Sequence, residues 1–182
     1  MDQILTSEIP EFKILIVDDI PANIDILSKT LEPQGYSISA ALEGEKALKI
    51  AYHLHPDLIL LDIMMENMDG FEVCRKLKQD PATSHIPVIF ISALDNVESV
   101  LKGFRAGAVD YVTKPFHQEE VLARVQTHLQ LHHLEQQKKE LIEILEAKNK
   151  DLLKLNELKN LFLGVPPMTC ATLYLRSRDS QN

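Results

Sequence analysis

Tryptophan is absent, and only two cysteines, Cys74 and Cys170, occur in 182 residues. They lie in different regions and match no metal-ligand spacing, which argues against a disulfide framework or a zinc site and suits a reducing cytoplasm. No stretch approaches the ~18 consecutive apolar residues that a membrane span needs. The opening M-D-Q-I-L-T-S-E lacks a basic n-region followed by an apolar h-region, so a soluble, unprocessed, cytoplasmic protein is expected. Basic side chains are outnumbered: 19 Lys and Arg stand against 27 Asp and Glu, a net charge of −8. That balance disfavours nucleic acid and anionic membranes as direct partners. Glycine and proline, finally, are missing altogether from Glu119 to Leu163.

What is present is organised around Pro56 to Gly70, P-D-L-I-L-L-D-I-M-M-E-N-M-D-G. Leu58 to Leu61 is a short apolar run of the kind that forms a strand buried on both faces, and it stops at a carboxylate, Asp62. Asp69 and Glu72 then frame Gly70 in a D-x-x-E capping pattern ahead of Val73, Cys74 and Leu77, which predicts a helix after a seven-residue loop. Three other runs end the same way. Phe12 to Val17 ends in Asp18-Asp19, Val88 to Ile91 in Ser92, and Val109 to Thr113 in Lys114-Pro115, each followed by a helical pattern. Strands alternating with helices imply right-handed crossovers and a parallel sheet, whose strand ends all lie along one rim. Topology therefore brings three acids, a hydroxyl and an ammonium together.

The remaining elements follow from periodicity. Helix one opens near Pro21 with Ile24, Leu27 and Leu31 along one face, and Pro33 and Gly35 close it. A second strand spans Tyr36 to Ala40, and a second helix Glu43 to Leu54, with Ala47, Leu48, Ala51 and Leu54 inward. The turn-rich Asp80 to Pro87 delivers strand four. Helix four is predicted to start at an Asp95–Glu98 cap, to bury Val97, Val100, Leu101 and Phe104, and to end in a left-handed cap at Gly107. Helix five buries Val121, Leu122, Val125 and Leu129. Five such β-α units in about 120 residues fit one doubly wound α/β domain.

From Glu119 the chain reads as one long helix, or two in line. Leu141, Leu145, Leu152, Leu155 and Phe162, with Ile144 and Leu158 beside them, mark an approximate heptad seam interrupted by Lys148. A short parallel coiled coil, and hence a homodimer, is expected. The organisation is then residues 1–10 as a flexible lead, 11–131 as the α/β domain, 132–164 as a helical linker or coiled coil, and 165–182 as an irregular, disordered tail.

The stretches I-V-D-D (Ile16 to Asp19), D-L-I-L-L-D-I-M-M-x-x-M-D-G (Asp57 to Gly70), P-V-I-F-I-S-A (Pro87 to Ala93) and A-G-A-V-D-Y-V-T-K-P-F (Ala106 to Phe116) together resemble the receiver domain of two-component response regulators. The likeness covers about Lys13 to Leu131 with the family's order and spacing. It implies a flavodoxin-like (βα)5 fold with strand order 2-1-3-4-5, in which Asp18, Asp19 and Asp62 sit where the order reverses. It also implies that Asp62 accepts a phosphoryl group from the phosphohistidine of a histidine kinase or phosphotransfer protein. Asp19 would ligate Mg²⁺ directly, Asp18 through water, and the Met64 backbone carbonyl would complete the protein ligands. Carboxylates that repel one another suit a hard dication with a preference for oxygen. Lys114 and Ser92 would contact the attached phosphoryl group, with the Lys114–Pro115 peptide cis to aim the ammonium. Tyr111 would swing inward as the switch aromatic, and helix four, strand five and helix five would form the output face. Where many receivers carry proline, this chain has Glu66, which adds negative charge near the metal site.

Taken singly, each residue has a plainer role: Asp18-Asp19 and Asp62 as solvated strand ends, Ser92 as a helix cap, Lys114 as a surface charge, Tyr111 as a packing aromatic. Their joint placement at four parallel strand ends is what favours chemistry. His128 and His132, i and i+4 on a helix, lack a third metal ligand and read as a solvated face; His132 or His133 as a phosphorylated histidine is equally weak. Met64, Met65 and Met68 read as gap-filling loop residues. Two other functions stand against the phosphorylation switch. An aspartyl-phosphate hydrolase of the haloacid dehalogenase type would need an acid two residues after its nucleophile, where Asp18 and Asp62 are followed by Ile20 and Met64. An unphosphorylated interaction module held by its coiled coil would not need the acidic triad. As a switch, the protein would be no enzyme beyond Mg²⁺-dependent self-phosphorylation and dephosphorylation.

The tail breaks sharply with the helix before it. A helix ending in L-F-L-G-V resembles the entry to the phosphoacceptor helix of sensor histidine kinases, where a motif like A-A-H-D-L-R-N-P-L should follow. Codons for that motif, read one base out of register, can spell P-P-M-T-C-A-T-L-Y, which is Pro166 to Tyr174. The expectation is a hybrid receiver-kinase whose reading frame slipped near Val165.

Overall fold

The computed structural model describes residues 12–93 and 97–163. Five strands, β1 (Lys13–Val17), β2 (Ser37–Ala41), β3 (Leu58–Leu61), β4 (Val88–Ser92) and β5 (Asp110–Thr113), alternate with five α-helices: α1 (Pro21–Leu31), α2 (Gly44–Leu54), α3 (Gly70–Gln79), α4 (Val97–Arg105) and α5 (Gln118–Leu163). The strands form one parallel sheet in the order β2-β1-β3-β4-β5. This is the flavodoxin-like architecture of the receiver class, with the order reversing between β1 and β3.

Burial follows from that order. The three inner strands carry the continuous apolar runs I-L-I-V, L-I-L-L and V-I-F-I, all buried, while the edge strands β2 and β5 are partly exposed. Successive side chains alternate between two cores. Leu15, Val17, Ile59, Leu61, Val88 and Phe90 pack with Ala47 and Ala51 of α2 and Val73, Cys74 and Leu77 of α3. Ile14, Ile16, Leu58, Leu60, Ile89 and Ile91 pack with Ile24, Leu27 and Leu31 of α1 and Val121, Val125 and Leu129 of α5. At about 1.5–3 kcal/mol for each fully buried aliphatic side chain, these two layers dominate the stability of the sheet.

The helix starts are local chemistry. Pro21 occupies the first turn of α1. The Asp69 side chain caps α3 by accepting a hydrogen bond from the Glu72 N–H at 2.7 Å. Gly107, with φ of 99°, takes the left-handed position after α4. The Asp95 half of the α4 cap lies outside the described residues, as do the N-terminal lead and the 165–182 tail.

The inward face of α4 differs from the sequence expectation. Val97, Leu101 and Phe104 are 74%, 49% and 47% exposed, and the helix instead turns Gly103 to the core with Val100 partly buried beside it. The reason is close approach. A Cβ at residue 103 would stand 3.1 Å from the Phe90 ring and 3.5 Å from that of Tyr111, so the helix backbone rests on these aromatics.

The described chain divides into two compact units, one up to Leu134 and one from Glu135. The stretch from Glu119 that read as one helix or two is a single one, α5. In the second unit Leu141, Leu145, Leu152, Leu155, Leu158 and Phe162 are all exposed. No described helix is long and apolar enough to cross a membrane.

Candidate functional site

Register sets the site. Val17 of β1 pairs with Leu61 of β3, Leu61 pairs with Phe90 of β4, and Ser92 pairs with Thr113 of β5, so the residues that follow emerge side by side at one rim. Backbone bonds pin them there: Asp62 N–H donates to the Val17 carbonyl at 2.8 Å, Asp18 N–H to that of Ala41 at 3.2 Å, and Lys114 N–H to that of Ser92 at 2.8 Å. The loop after Asp62 folds back on itself, with Met65 and Gly70 N–H both donating to the Ile63 carbonyl. Gly70 is required at this point. Any Cβ there would run into the Asp62 carbonyl and the Ile63 Cα.

Asp18, Asp19 and Asp62 each bring a carboxylate oxygen within 4.8 Å of the others. Asp18 is 2% exposed and Asp62 4%, an arrangement that water alone would not support. The Lys114 ammonium donates to Asp62 Oδ1 at 2.8 Å and to Asp18 Oδ2 at 2.7 Å, and the Lys114–Pro115 peptide is cis. Burial pushes the Asp62 carboxyl above its ordinary value; the Lys114 bond opposes this, and the neighbouring Asp18 and Asp19 charges add to the rise. Burial would lower the Lys114 ammonium, but its bonds to Asp18 and Asp62 prevail and raise it. Three carboxylates against one ammonium leave the ionised site two charges short of neutral. Hard oxygen donors with that deficit fit a divalent cation of the Mg²⁺ kind.

Ser92 is fully buried at the end of β4, on the same rim. Tyr111 is 9% exposed, its ring 6.2 Å from that of Phe90 and beneath Gly103. The ring is already inward in this structure. The Met64 side chain is exposed on the loop, and Met68 N–H closes a three-residue turn on the Glu66 carbonyl across Asn67, whose φ is 65°.

Two features escaped the sequence reading. The Asn23 amide donates to both oxygens of Asp18, at 2.9 and 3.0 Å; an amide five residues after Asp18 in a first helical turn was the available signal. His128 is not on a solvated face. Its Nε2 lies 2.9 Å from Asp110 Oδ2, and Arg124 Nη1 binds the same carboxylate at 2.8 and 2.9 Å. Burial would raise Asp110, but the His128 and Arg124 bonds prevail and hold its carboxyl below the ordinary value. The His132 ring stacks on that of His85, with centroids 5.9 Å apart. The described residues hold one group of three or more potential ligands, the acidic triad.

The family model for the response regulator receiver domain matches residues 14–126. The DNA-binding dual master transcriptional regulator RpaA of Synechocystis is 48% identical over 113 residues, 62% of this chain and 47% of RpaA. Response regulator PleD of Caulobacter vibrioides is 49% identical over 115 residues, 63% of this chain and 25% of PleD. The BeF3-activated receiver domain of DrrB, a Thermotoga maritima protein, superposes with a TM-score of 0.59 at 40% identity, covering 65% of this chain and 97% of that one. The chain thus spans between a quarter and about half the length of these curated relatives. Because the family match covers more than half of the chain and falls on the unit whose rim gathers the acids, the protein belongs to the response regulator receiver family, whose members partner with histidine kinases and are phosphorylated on an aspartate.

Proposed function

We propose that Asp62 is the phosphoacceptor of this receiver, taking its phosphoryl group from the phosphohistidine of a histidine kinase or phosphotransfer protein. Attack by an Asp62 carboxylate oxygen forms the O–P bond as the N–P bond to imidazole breaks. The observation that carries the reading is the Lys114 ammonium, which bonds Asp62 and Asp18 at once beside a third carboxylate. A cation so placed meets the charge that arrives with the phosphoryl oxygens.

Asp19 and Asp62, with the Met64 carbonyl and with Asp18 through water, would hold Mg²⁺. When bound, the ion offsets the repulsion among the acids and the charge on the phosphoryl oxygens. Ser92 answers the attached group with a hydrogen bond. Those contacts exist in the phosphorylated state alone, so they bias the packing of Tyr111 and with it the face formed by α4, β5 and α5. The exposed Val97, Leu101 and Phe104 on α4 give that face apolar area to present to a partner.

The exposed leucine seam of the second unit supports self-association into a homodimer, with Lys148 as its weak point. The receiver performs no chemistry beyond its own phosphorylation and dephosphorylation, in the cytoplasm, without nucleic acid as a direct partner. Labelling with a small phosphodonor tests the core of this reading. Acid-labile phosphate that depends on Mg²⁺ and is lost in Asp62→Asn is expected; label that persists in that variant refutes the assignment. Turnover of added phosphoesters would indicate a hydrolase instead.

A further inference from the structure

Asp18 is the most completely bonded of the three acids. Its Oδ1 accepts from the Ile20 N–H at 2.9 Å and from Asn23 Nδ2 at 2.9 Å, while Oδ2 accepts from Asn23 Nδ2 at 3.0 Å and from Lys114 Nζ at 2.7 Å. A carboxylate offers about four in-plane acceptor sites, so this one is close to saturation. The Asn23 nitrogen is nearly equidistant from both oxygens. A donor in that position straddles the carboxylate and sets the direction in which its plane faces.

The fold supplies this donor deliberately. The Asp18 side chain closes a turn on Ile20 N–H, Pro21 then starts α1, and Asn23 is the third helical residue, with its own N–H donating to the Ile20 carbonyl at 3.0 Å. Side chains in a helix lean back over the preceding turn, which here is the rim where Asp18 stands. Of the donors to Asp18, Lys114 is shared with Asp62 and Ile20 is backbone. Asn23 is the neutral side chain that can be changed without altering the charge of the site.

We propose that Asn23 is a positioning residue of the receiver's metal and phosphorylation site, acting through Asp18. By occupying both oxygens it fixes the plane of the Asp18 carboxylate while Lys114 is shared between Asp18 and Asp62, and so keeps the Asp18 charge directed at the cation position. Without the amide, Asp18 is held by one backbone N–H and one ammonium, and its carboxylate plane is free to turn about them. Negative charge is then turned away from the cation position. This rests on the assignment of the triad to Mg²⁺, and it extends that assignment to a residue outside the acidic set.

The test is a Mg²⁺ titration of the metal-free full chain, followed by the NMR shift of the Asp62 amide, in the parent and in Asn23→Ala and Asn23→Ser. The same substitutions are repeated in an Asp18→Asn background. Both Asn23 substitutions are expected to raise the Mg²⁺ Kd about fivefold, and to change it less than twofold when Asp18 is already Asn. A residue that merely packs α1 would weaken binding equally in the two backgrounds. Equal effects in both backgrounds, or a Kd within twofold of the parent for both single variants, would overturn the proposal. A parent chain that shifts normally with Mg²⁺ keeps the triad assignment intact in either event, whereas a parent that takes up no Mg²⁺ removes the assignment and this inference together.

Discussion

Asp62→Asn is expected to stabilise the metal-free protein even as it abolishes phosphorylation. The carboxylate is 4% exposed, with the Lys114 ammonium at 2.8 Å and oxygens of Asp18 and Asp19 within 4.8 Å. At an effective dielectric near 20, the pull of Lys114 is about 6 kcal/mol and the push of each neighbouring acid at least about 3.5 kcal/mol. Attraction and repulsion thus come close to cancelling, and burial, the largest contribution, tips the balance against the charged form. The raised Asp62 carboxyl reflects that sum. For an acid whose folded pKa lies above its unfolded value, folding favours the protonated form. The carboxylate therefore costs stability as pH climbs through the unfolded value and on past the raised folded one, and the full cost stands above both. Asparagine removes the charge while its carbonyl still accepts from Lys114. A gain of about 1–2 kcal/mol at pH 7 follows, or about 2–4 °C in Tm per kcal/mol for a chain of this length. Thermal unfolding followed by circular dichroism in EDTA at pH 7 measures it. The gap should close below the ordinary carboxylate pKa and should narrow in Mg²⁺, which stabilises the parent by mass action. A variant that melts at or below the parent at pH 7 without metal would refute the reasoning.

Gly70→Ala should cost about 1–3 kcal/mol by overpacking and should impair phosphorylation out of proportion, because its Cβ meets the Asp62 backbone; unaltered labelling kinetics would contradict that contact. Lys148→Leu is expected to tighten self-association by restoring the seam, and truncation after Leu134 to weaken it while leaving a folded receiver; light scattering that reports the same mass for both would place any dimer contact elsewhere. Glu66→Pro should weaken Mg²⁺ binding several-fold at most, since it removes a negative charge that, at about 8 Å from the cation, would be worth about 2 kcal/mol before salt screening. A titration that superimposes on the parent's would show that Glu66 does not act on the site. The coding DNA over Pro166 to Tyr174 is expected to read as a kinase H-box in the neighbouring frame, and codons that do not would end the frame-slip proposal.

Much of the fold was legible because each inner strand is buried on both faces and so appears as an unbroken apolar run ended by its functional residue. Leu58 to Leu61 before Asp62 is the clearest case. Helices that pack through aliphatic side chains were equally plain: Ile24, Leu27 and Leu31 of α1, and Val121, Val125 and Leu129 of α5, are buried as their spacing predicts. The inward face of α4 was not legible, because apolar periodicity gives no weight to glycine. Gly103 contributes no hydrophobic signal, yet its missing side chain is what lets the helix rest on Phe90 and Tyr111.

By itself, the sequence determined the α/β class, the alternation of strands and helices, and the identity of the residues at the strand ends, since all of these depend on neighbours close along the chain. The tertiary structure alone decided which atoms meet. Lys114 reaches Asp18 across 96 positions and Asp62 across 52, and Asp110 draws Arg124 and His128 from the next helix into one cluster. A hydrogen bond depends on distances of a few tenths of an ångström, which parallel register and helix rotation set and which residue spacing does not encode. His128 could be bonded or solvated on the same spacing, and Asn23 could face water or Asp18; the pitch of one helix against one strand end settles each.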